Sequence, residues 1–518
     1  MSFTPIRTTF LVKLAALAAL VLLADTLFYG HDVGSTLGLF ALCWAVLVAV
    51  CRPAARRGAA GVALTAACFF ALTLGGAPGL LRWTLFGTAL ALATLLPRRR
   101  FGNALQWAWR LPLHGVASLV APLIDTVRLG RLLGGRGGAT FRAMVTLLAL
   151  PLLGSALFLM LFAGANPLIG NAMARIRIPS LDHVVGHVVF AGVVTVLVWS
   201  SFRPIAFVTR FGSGAAWPDA PRLPQPSLAS VLLSLALFNL LFAVQNAMDI
   251  AFLWSGAPLP GSVTMADYAH RGAYALIATA LLAGAFVLVL LAPGSRAAAS
   301  PAARALVVLW VVQNLMLVAS SALRTIDYVA AYSLTELRIA ALAWMALVAV
   351  GLVLICWRML FGLPARWLVN ANALAAACTL AAFTVVDPGA VAARWNVDHA
   401  RELGKDGPAI DLCYLSQLGS AALVPLVDLE RRATDSEFHD RVAWVLANTL
   451  GSTRARQADW HRWTWSDARR LAEAERRLGS RTLLPGPPRQ CDGSRYPPVP
   501  APPTPLPAPT PLTPEPVR

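Results

Sequence analysis

The sequence predicts an all-α membrane protein: a polytopic helical bundle of about 11 spans, a small helical C-terminal extramembrane domain, and a Pro-rich disordered tail. Three observations predict it. First, the 518 residues are 57% hydrophobic and only 13% charged, whereas a soluble domain carries about a quarter charged residues. Second, residues 1–386 hold 26 basic and 9 acidic residues, net +17, while residues 387–518 hold 17 and 16, net +1. The basic excess sits in the hydrophobic part, as expected of basic loops between spans and not of a nucleic-acid binder. Third, the apolar runs are long and do not alternate, which excludes a β-barrel.

A span needs about 20 mostly apolar residues, with each backbone group bonded inside its own helix. Segments near 10–30, 34–51, 59–76, 79–97, 143–164, 182–202, 228–252, 271–292, 304–323, 335–356 and 367–386 qualify. The first has Arg7 and Lys13 ahead of its apolar stretch, like a signal peptide. It runs on past Asp25 to Tyr29 without a small-residue cleavage site, so it reads as a retained span. Four transmembrane helices therefore fill 1–97, a basic cytoplasmic loop fills 98–142, and seven further transmembrane helices fill 143–386. With a cytoplasmic N-terminus, the inside segments carry 19 Lys or Arg and the outside loops 5. That bias predicts a multi-pass membrane protein with its N-terminus in the cytoplasm and its C-terminal domain outside it. In the long inside loop, Trp107 and Trp109 suit an interfacial belt. Residues 113–133, with Asp125, Arg128 and Arg131, read either as a helix lying on the cytoplasmic face or as a loop that only fixes topology.

Residues 387–483 read as the small extracytoplasmic domain. A helix over 409–430 carries Leu412, Leu415, Leu418, Leu423 and Leu426 and is kinked or ended by Pro425. Helices follow at 435–450 and 466–478, the latter capped by Ser466 or Asp467 and closed by Gly479. Trp460, Trp463 and Trp465 either pack this domain or rest on the membrane interface. Residues 484–518 hold 14 of the 36 prolines and read as an extended tail. Cys413 and Cys491 are the cysteines of this outer part; in an oxidising compartment they either pair or stay as two free thiols.

Polar groups inside spans are candidate functional groups by default. Asp25, Gln245, Asn246, Asp249, Gln313 and Asn314 could line a polar path between the seventh and ninth spans, or serve only as interhelical hydrogen bonds. Arg82 reads as snorkelling to the surface. His183 and His187 share a helical face, but no third metal ligand accompanies them, so no metal and no cofactor are expected. Two outside loops form a candidate outer-mouth cluster: Asp267, Tyr268, His270 and Arg271 in one, and Arg324, Asp327, Tyr328, Tyr332, Glu336 and Arg338 in the other. Each arginine there has a carboxylate within reach, Asp267, Asp327 or Glu336. Ser333 and Glu336 spell a capping box that starts the tenth span.

At these residues the chain resembles a family of bacterial polytopic membrane proteins, the group of domains of unknown function 4173/4153. The resemblance rests on Ala24-Asp25-Thr26-Leu27-Phe28, on Tyr268–Gly272, on Arg324 with Tyr328, Tyr332 and Leu334-Thr335-x-x-Arg338, and on Asn396 followed by Asp411-x-x-Tyr414-Leu415 and Pro425. Where the family run reads Tyr-Gly-Leu-Thr, this chain has Ser333, which suggests a less tight turn. The resemblance implies a multi-span envelope protein and no particular activity.

No P-loop, GxSxG elbow, zinc-ligand set or dinucleotide fingerprint is present. The first expectation is a non-enzymatic envelope sensor or scaffold whose C-terminal domain binds an envelope protein, with the lipid bilayer as its surroundings. The alternatives are a small-solute or ion transporter and a membrane enzyme acting on a lipid-linked substrate.

Overall fold

In the computed structural model of the chain, residues 5–98, 101–132, 182–205, 227–254, 299–481, 483 and 486–496 are described, with isolated positions between 147 and 208. Every regular element among the described residues is a helix. In chain order these begin with α1 (Pro5–Phe28), α2 (Thr36–Cys51), α3 (Gly58–Gly76), α4 (Leu80–Leu95), α5 (Ala104–Leu132) and α6 (Asp182–Phe202). They continue with α7 (Leu228–Asp249), α8 (Pro301–Tyr332), α9 (Glu336–Leu360) and α10 (Ala365–Val385). All but α2 and α5 are long and apolar enough to cross a membrane, and α2 is a shorter apolar helix of 16 residues. The chain is a multi-pass membrane protein. The expected span at 271–292, and all but isolated positions of the one at 143–164, lie outside the described residues.

The helices sort their side chains as hydrocarbon requires. On α7, Leu233, Leu237, Leu240, Leu241, Val244 and Met248 face outward, while Val231, Leu235, Asn239, Asn246 and Asp249 face inward. Lipid tails are as apolar as leucine, so the exposed face costs nothing and the inner face is free to carry polar groups. One core joins α1 to α4 and α6 through Leu20, Val48, Leu74, Phe86 and Phe202. A second joins α7 to α10 through Leu235, Val307, Trp310, Leu352 and Leu368. Helix α10 touches both groups. Asn370 accepts from Ala104 N (2.8 Å) and donates to Gly102 O (3.2 Å), and Arg82 Nε donates to Thr384 O (3.1 Å). Arg82 therefore ties α4 to the end of α10 instead of snorkelling to the surface.

Helix α5 departs from the expected helix over 113–133. It starts at Ala104 and continues through Pro112 and Pro122. Trp107, Arg110, His114, Ser118, Ala121 and Asp125 recur every three or four residues and are buried, whereas Trp109, Val116, Leu119 and Val120 face outward. The polar face is turned into the protein and the apolar face away, the reverse of a helix in water. Trp199 Nε1 donates to Asp125 Oδ2 (3.0 Å) and Arg203 pairs with the same carboxylate (3.1 Å), which holds α5 against α6.

Beyond α10 come α11 (Pro388–Asp398), α12 (Leu412–Gln417), α13 (Leu423–Arg432), α14 (Ser436–Ala458) and α15 (Trp465–Leu478). They share a core of Leu415, Leu423, Leu426, Leu429, Leu446 and Leu450. The expected helix over 409–430 is broken at Gly419 (φ 56°), not at Pro425. Pro425 lies in the first turn of α13, where its missing N–H costs nothing. Thr464 caps α15 by accepting from Asp467 N (3.3 Å), ahead of the expected Ser466 or Asp467, and Gly479 closes the helix. Trp460 and Trp465 face outward and do not pack the core.

The tail begins later than its prolines suggest. Cys413 and Cys491 form a disulfide. Trp444 Nε1 donates to Pro487 O (2.9 Å), and Arg441 and Arg489 pair with Asp492 and Asp440 (both 2.6 Å). Residues 486–496 thus fold onto the helices, because charged and aromatic side chains of α14 supply partners that a proline count does not register. Residues 497–518 lie outside the described residues.

Burial, with the charge of Arg52 added to it, pulls the His114 imidazole down to about 4. An unfolded imidazole takes up its proton near 6.5. Between those values the unfolded chain binds the extra proton, so stability falls as pH drops through this window, by up to about 3 kcal/mol. Thermal unfolding in detergent at pH 7.5 and 4.5 measures the loss. His114→Gln should reduce the difference between the two midpoints; an unchanged difference would assign it to carboxylates alone.

Candidate functional site

The inward stripes of α7 and α8 change character along their length. Toward the start of each helix they are apolar, with Val231, Leu235, Ala303 and Val307. Further along they carry Asn239, Asn246, Asp249, Asn314, Ser320 and Arg324, all buried. Asn239 Nδ2 donates to Leu235 O (2.8 Å) and to Leu306 O (3.0 Å), and its Oδ1 accepts from Gln313 Nε2 (3.0 Å). Asn246 Nδ2 donates to Gln313 O (3.2 Å), and Asn314 Nδ2 to Trp310 O (2.8 Å). Asp249 accepts from Gln245 Nε2 (3.1 Å) and forms a buried ion pair with Arg324, 75 residues on. Trp254 Nε1 donates to Ser320 Oγ (3.1 Å) close by. Successive partners advance along both chains together, so α7 and α8 run parallel.

Most of this seam is satisfied. The amide oxygens of Asn246 and Gln313 are buried and have no hydrogen-bond partner among the described residues. Each is an acceptor that a water, proton donor or cation would satisfy.

The expected path and mouth are thus redistributed. Gln245, Asn246, Asp249, Gln313 and Asn314 do line one seam, joined by Asn239, which was legible as polar but not as its pivot. Asp25 is elsewhere: it meets His187 Nδ1 (2.7 Å) between α1 and α6, where Tyr29 stacks on the imidazole (3.8 Å). The side chain of His183 and the residues Asp267, Tyr268, His270 and Arg271 lie outside the described residues. Arg324 pairs with Asp249 and not with Asp327, because it faces the buried stripe of α8 while Asp327 lies off that stripe, only partly buried.

The loop after α8 is a second polar centre. Ser333 has φ 72° and ψ 163° and is the only described non-glycine residue with positive φ. The turn therefore keeps the backbone of a glycine, contrary to the looser turn expected from the substitution. The N-cap of α9 is Thr335, accepting from Arg338 N (3.4 Å), and the expected Ser333–Glu336 box does not form because Ser333 is committed to the turn. Arg338 donates to Tyr332 O (2.7 Å) and Ser333 O and lies over the Tyr328 ring (4.4 Å), which in turn packs on Tyr332 (4.7 Å). It does not pair with Glu336, whose side chain is exposed.

The C-terminal helices grip this loop. Asn396 Oδ1 accepts from Leu334 N (2.7 Å) and its Nδ2 donates to Leu334 O (3.0 Å); Tyr414 OH accepts from Glu336 N (3.0 Å). They also hold the α1–α2 turn. Ser35 N donates to Trp463 O (2.8 Å), Trp465 N to Ser35 Oγ (3.1 Å), Arg462 pairs with Asp32 (3.0 Å), and His31 stacks on His461 (3.6 Å). At the end of α10, Asp387 caps α11 and pairs with Arg470. Burial works to raise the Asp387 carboxyl, but Arg470 and the amides of Ala390 and Gly389 outweigh it and hold it below the usual carboxylate range.

A family model described as a domain of unknown function (DUF4153) matches residues 59–429. No curated protein and no solved structure matches the chain.

Two outcomes are expected. Removing either partner of the Asp249–Arg324 pair, by Asp249→Ala or Arg324→Ala, should cost about 3–5 kcal/mol, because it takes an ion-pair partner from a buried charge. The double variant should cost less than the sum, as thermal unfolding in detergent would read; additive losses would mean the groups are not coupled. Ser333→Gly should raise stability by about 1 kcal/mol by relieving the backbone conformation that L side chains resist.

Proposed function

We propose that this chain, which belongs to the DUF4153 family of domains of unknown function, is a non-enzymatic envelope scaffold or sensor of the bacterial inner membrane that binds a protein partner through its C-terminal helices. The observation that carries this reading is the threefold grip of α11–α15 on the α1–α2 turn, the α8–α9 loop and the end of α10. A unit fastened to every part of the membrane bundle that it reaches is built to be held in place, and to report strain between membrane and partner.

Helix directions support an N-terminus in the cytoplasm and α11–α15 on the far side. Trp44 Nε1 donates to Ser201 Oγ (2.8 Å) and Arg52 to Thr94 O (2.8 Å), so α2, α4 and α6 run the same way. Helix α4 therefore ends at the face opposite to that where α6 starts, and α7 ends opposite to the start of α8. Each of these changes of face calls for a further crossing between the two helices, and the sequence offers an apolar run of sufficient length in each interval, at 143–164 and 271–292. With 19 of the loop cations on the side of the N-terminus, that side is cytoplasmic.

Transport is the second reading, favoured by the amide oxygens of Asn246 and Gln313, which have no partner among the described residues. In cells lacking the native protein, a chain truncated after residue 386 should insert but fail to complement, while Gln313→Met should complement fully. The opposite pattern favours transport. A C-terminal reporter that fluoresces only in the cytosol should stay dark; a bright signal from inserted protein would overturn the topology.

A further inference from the structure

At the end of the bundle remote from α11–α15, cations converge from several helices. Arg52, just past α2, donates to Thr94 O (2.8 Å) on α4 and to Ser201 O (3.4 Å) and Phe202 O (3.3 Å) on α6. Arg98, just past α4, donates to Pro204 O (2.7 Å). Arg203 lies between those carbonyls, paired with Asp125 and set over the Phe10 ring of α1 (5.0 Å). Lys13, one turn along α1 from Phe10, is half-buried and has Arg52, Arg203 and Arg98 as its electrostatic neighbours. Among the described residues Asp125 is the single carboxylate at this end of the membrane bundle.

Basic loop residues that only set topology need not meet; they lower their energy by spreading into water and between lipid headgroups. Here the chain does the opposite. Arg52 and Arg98 are aimed at the carbonyl ends of α4 and α6, whose partial charge balances them only in part. Burial and the nearby Arg98 pull the Arg52 guanidinium down to about 10. Four cations and one carboxylate leave a deficit of negative charge. The outward Leu11, Val12 and Leu14 of α1 and Val116 and Val120 of α5 wall the neighbourhood with apolar surface.

We propose that this end of the bundle binds a phosphate-bearing anion, held by Lys13, Arg52, Arg98 and Arg203. Guanidinium forks match phosphate oxygens in geometry and charge. The source is either the headgroup of an anionic phospholipid, whose acyl chains would lie along the apolar wall, or free inorganic phosphate.

The test uses the full-length protein, delipidated in detergent, with native mass spectrometry as the readout. Dioleoyl phosphatidylglycerol, dioleoyl phosphatidylcholine and inorganic phosphate are offered separately. Retention of phosphatidylglycerol over phosphatidylcholine assigns the lipid. Phosphate binding without that preference assigns the free anion. In either case Lys13→Gln and Arg98→Gln should each weaken binding about tenfold, the worth of one charge-assisted contact. Arg57→Gln, an exposed residue of the α2–α3 turn at the same end, should leave binding unchanged. If Lys13→Gln fails to insert, Arg98→Gln decides alone, since that side chain sits exposed past the end of α4. No binding of any probe, or an equal loss with Arg57→Gln, overturns the proposal.

Discussion

A carboxylate and a guanidinium surrounded by hydrocarbon persist only together, and Asp249 with Arg324 shows how far that constraint reaches. Both side chains are buried, so each holds the other in place and with it the helix that carries it. The amides of Asn239, Asn246 and Gln313 extend the same rule along the seam. Each bond joins a residue of α7 to one of α8 or satisfies a carbonyl of its own helix. The bilayer supplies no competing partners, so these contacts set the register of two parallel helices where packing alone would tolerate sliding.

At the end that carries α11–α15, side-chain pairs give way to backbone recognition. Asn396 reads both the N–H and the C=O of Leu334, as a neighbouring strand would, and Tyr414 takes the N–H of Glu336. Those groups lie in the tight connection between α8 and α9, where helix ends leave donors and acceptors unsatisfied. The C-terminal helices complete what the membrane helices cannot complete for themselves. Leu334 and Asn396, 62 residues apart, are joined by this docking.

Helical spans were legible because a 20-residue apolar run has one stable form in lipid. The polar stripe of α7 was legible too, since Asn246 and Asp249 recur at helical spacing. Partner choice was not. Arg324 reads equally well against Asp327, three residues away, as against Asp249 on another helix, and only the inward facing of its stripe decides. The α5 face escaped for a different reason. Trp107, Arg110, His114 and Asp125 have the spacing of a buried stripe, but charged residues near a basic loop suggest water on that side. In a membrane protein the periodic polar face can be the inner one. Ser333 was misjudged because a residue type was read as a conformation: the hydrogen bonds of Asn396 and Arg338 impose the glycine-like backbone on serine.

The two ends of the bundle therefore solve opposite problems. At the end that carries α11–α15, exposed backbone groups and charges find partners within the chain: Asp387 with Arg470, Asp32 with Arg462, Leu334 with Asn396. At the opposite end, Lys13, Arg52, Arg98 and Arg203 find carbonyls and one carboxylate, and their charge stays in excess. A chain that wanted only to orient itself would gain nothing by gathering those cations, because loop charge orients a protein wherever it lies on the cytoplasmic side. Gathering them raises their mutual repulsion, a cost that the carbonyls and Asp125 offset in part and that the anion proposed above would offset further. The convergence of these four cations on one end of the bundle is therefore a feature that topology alone does not require.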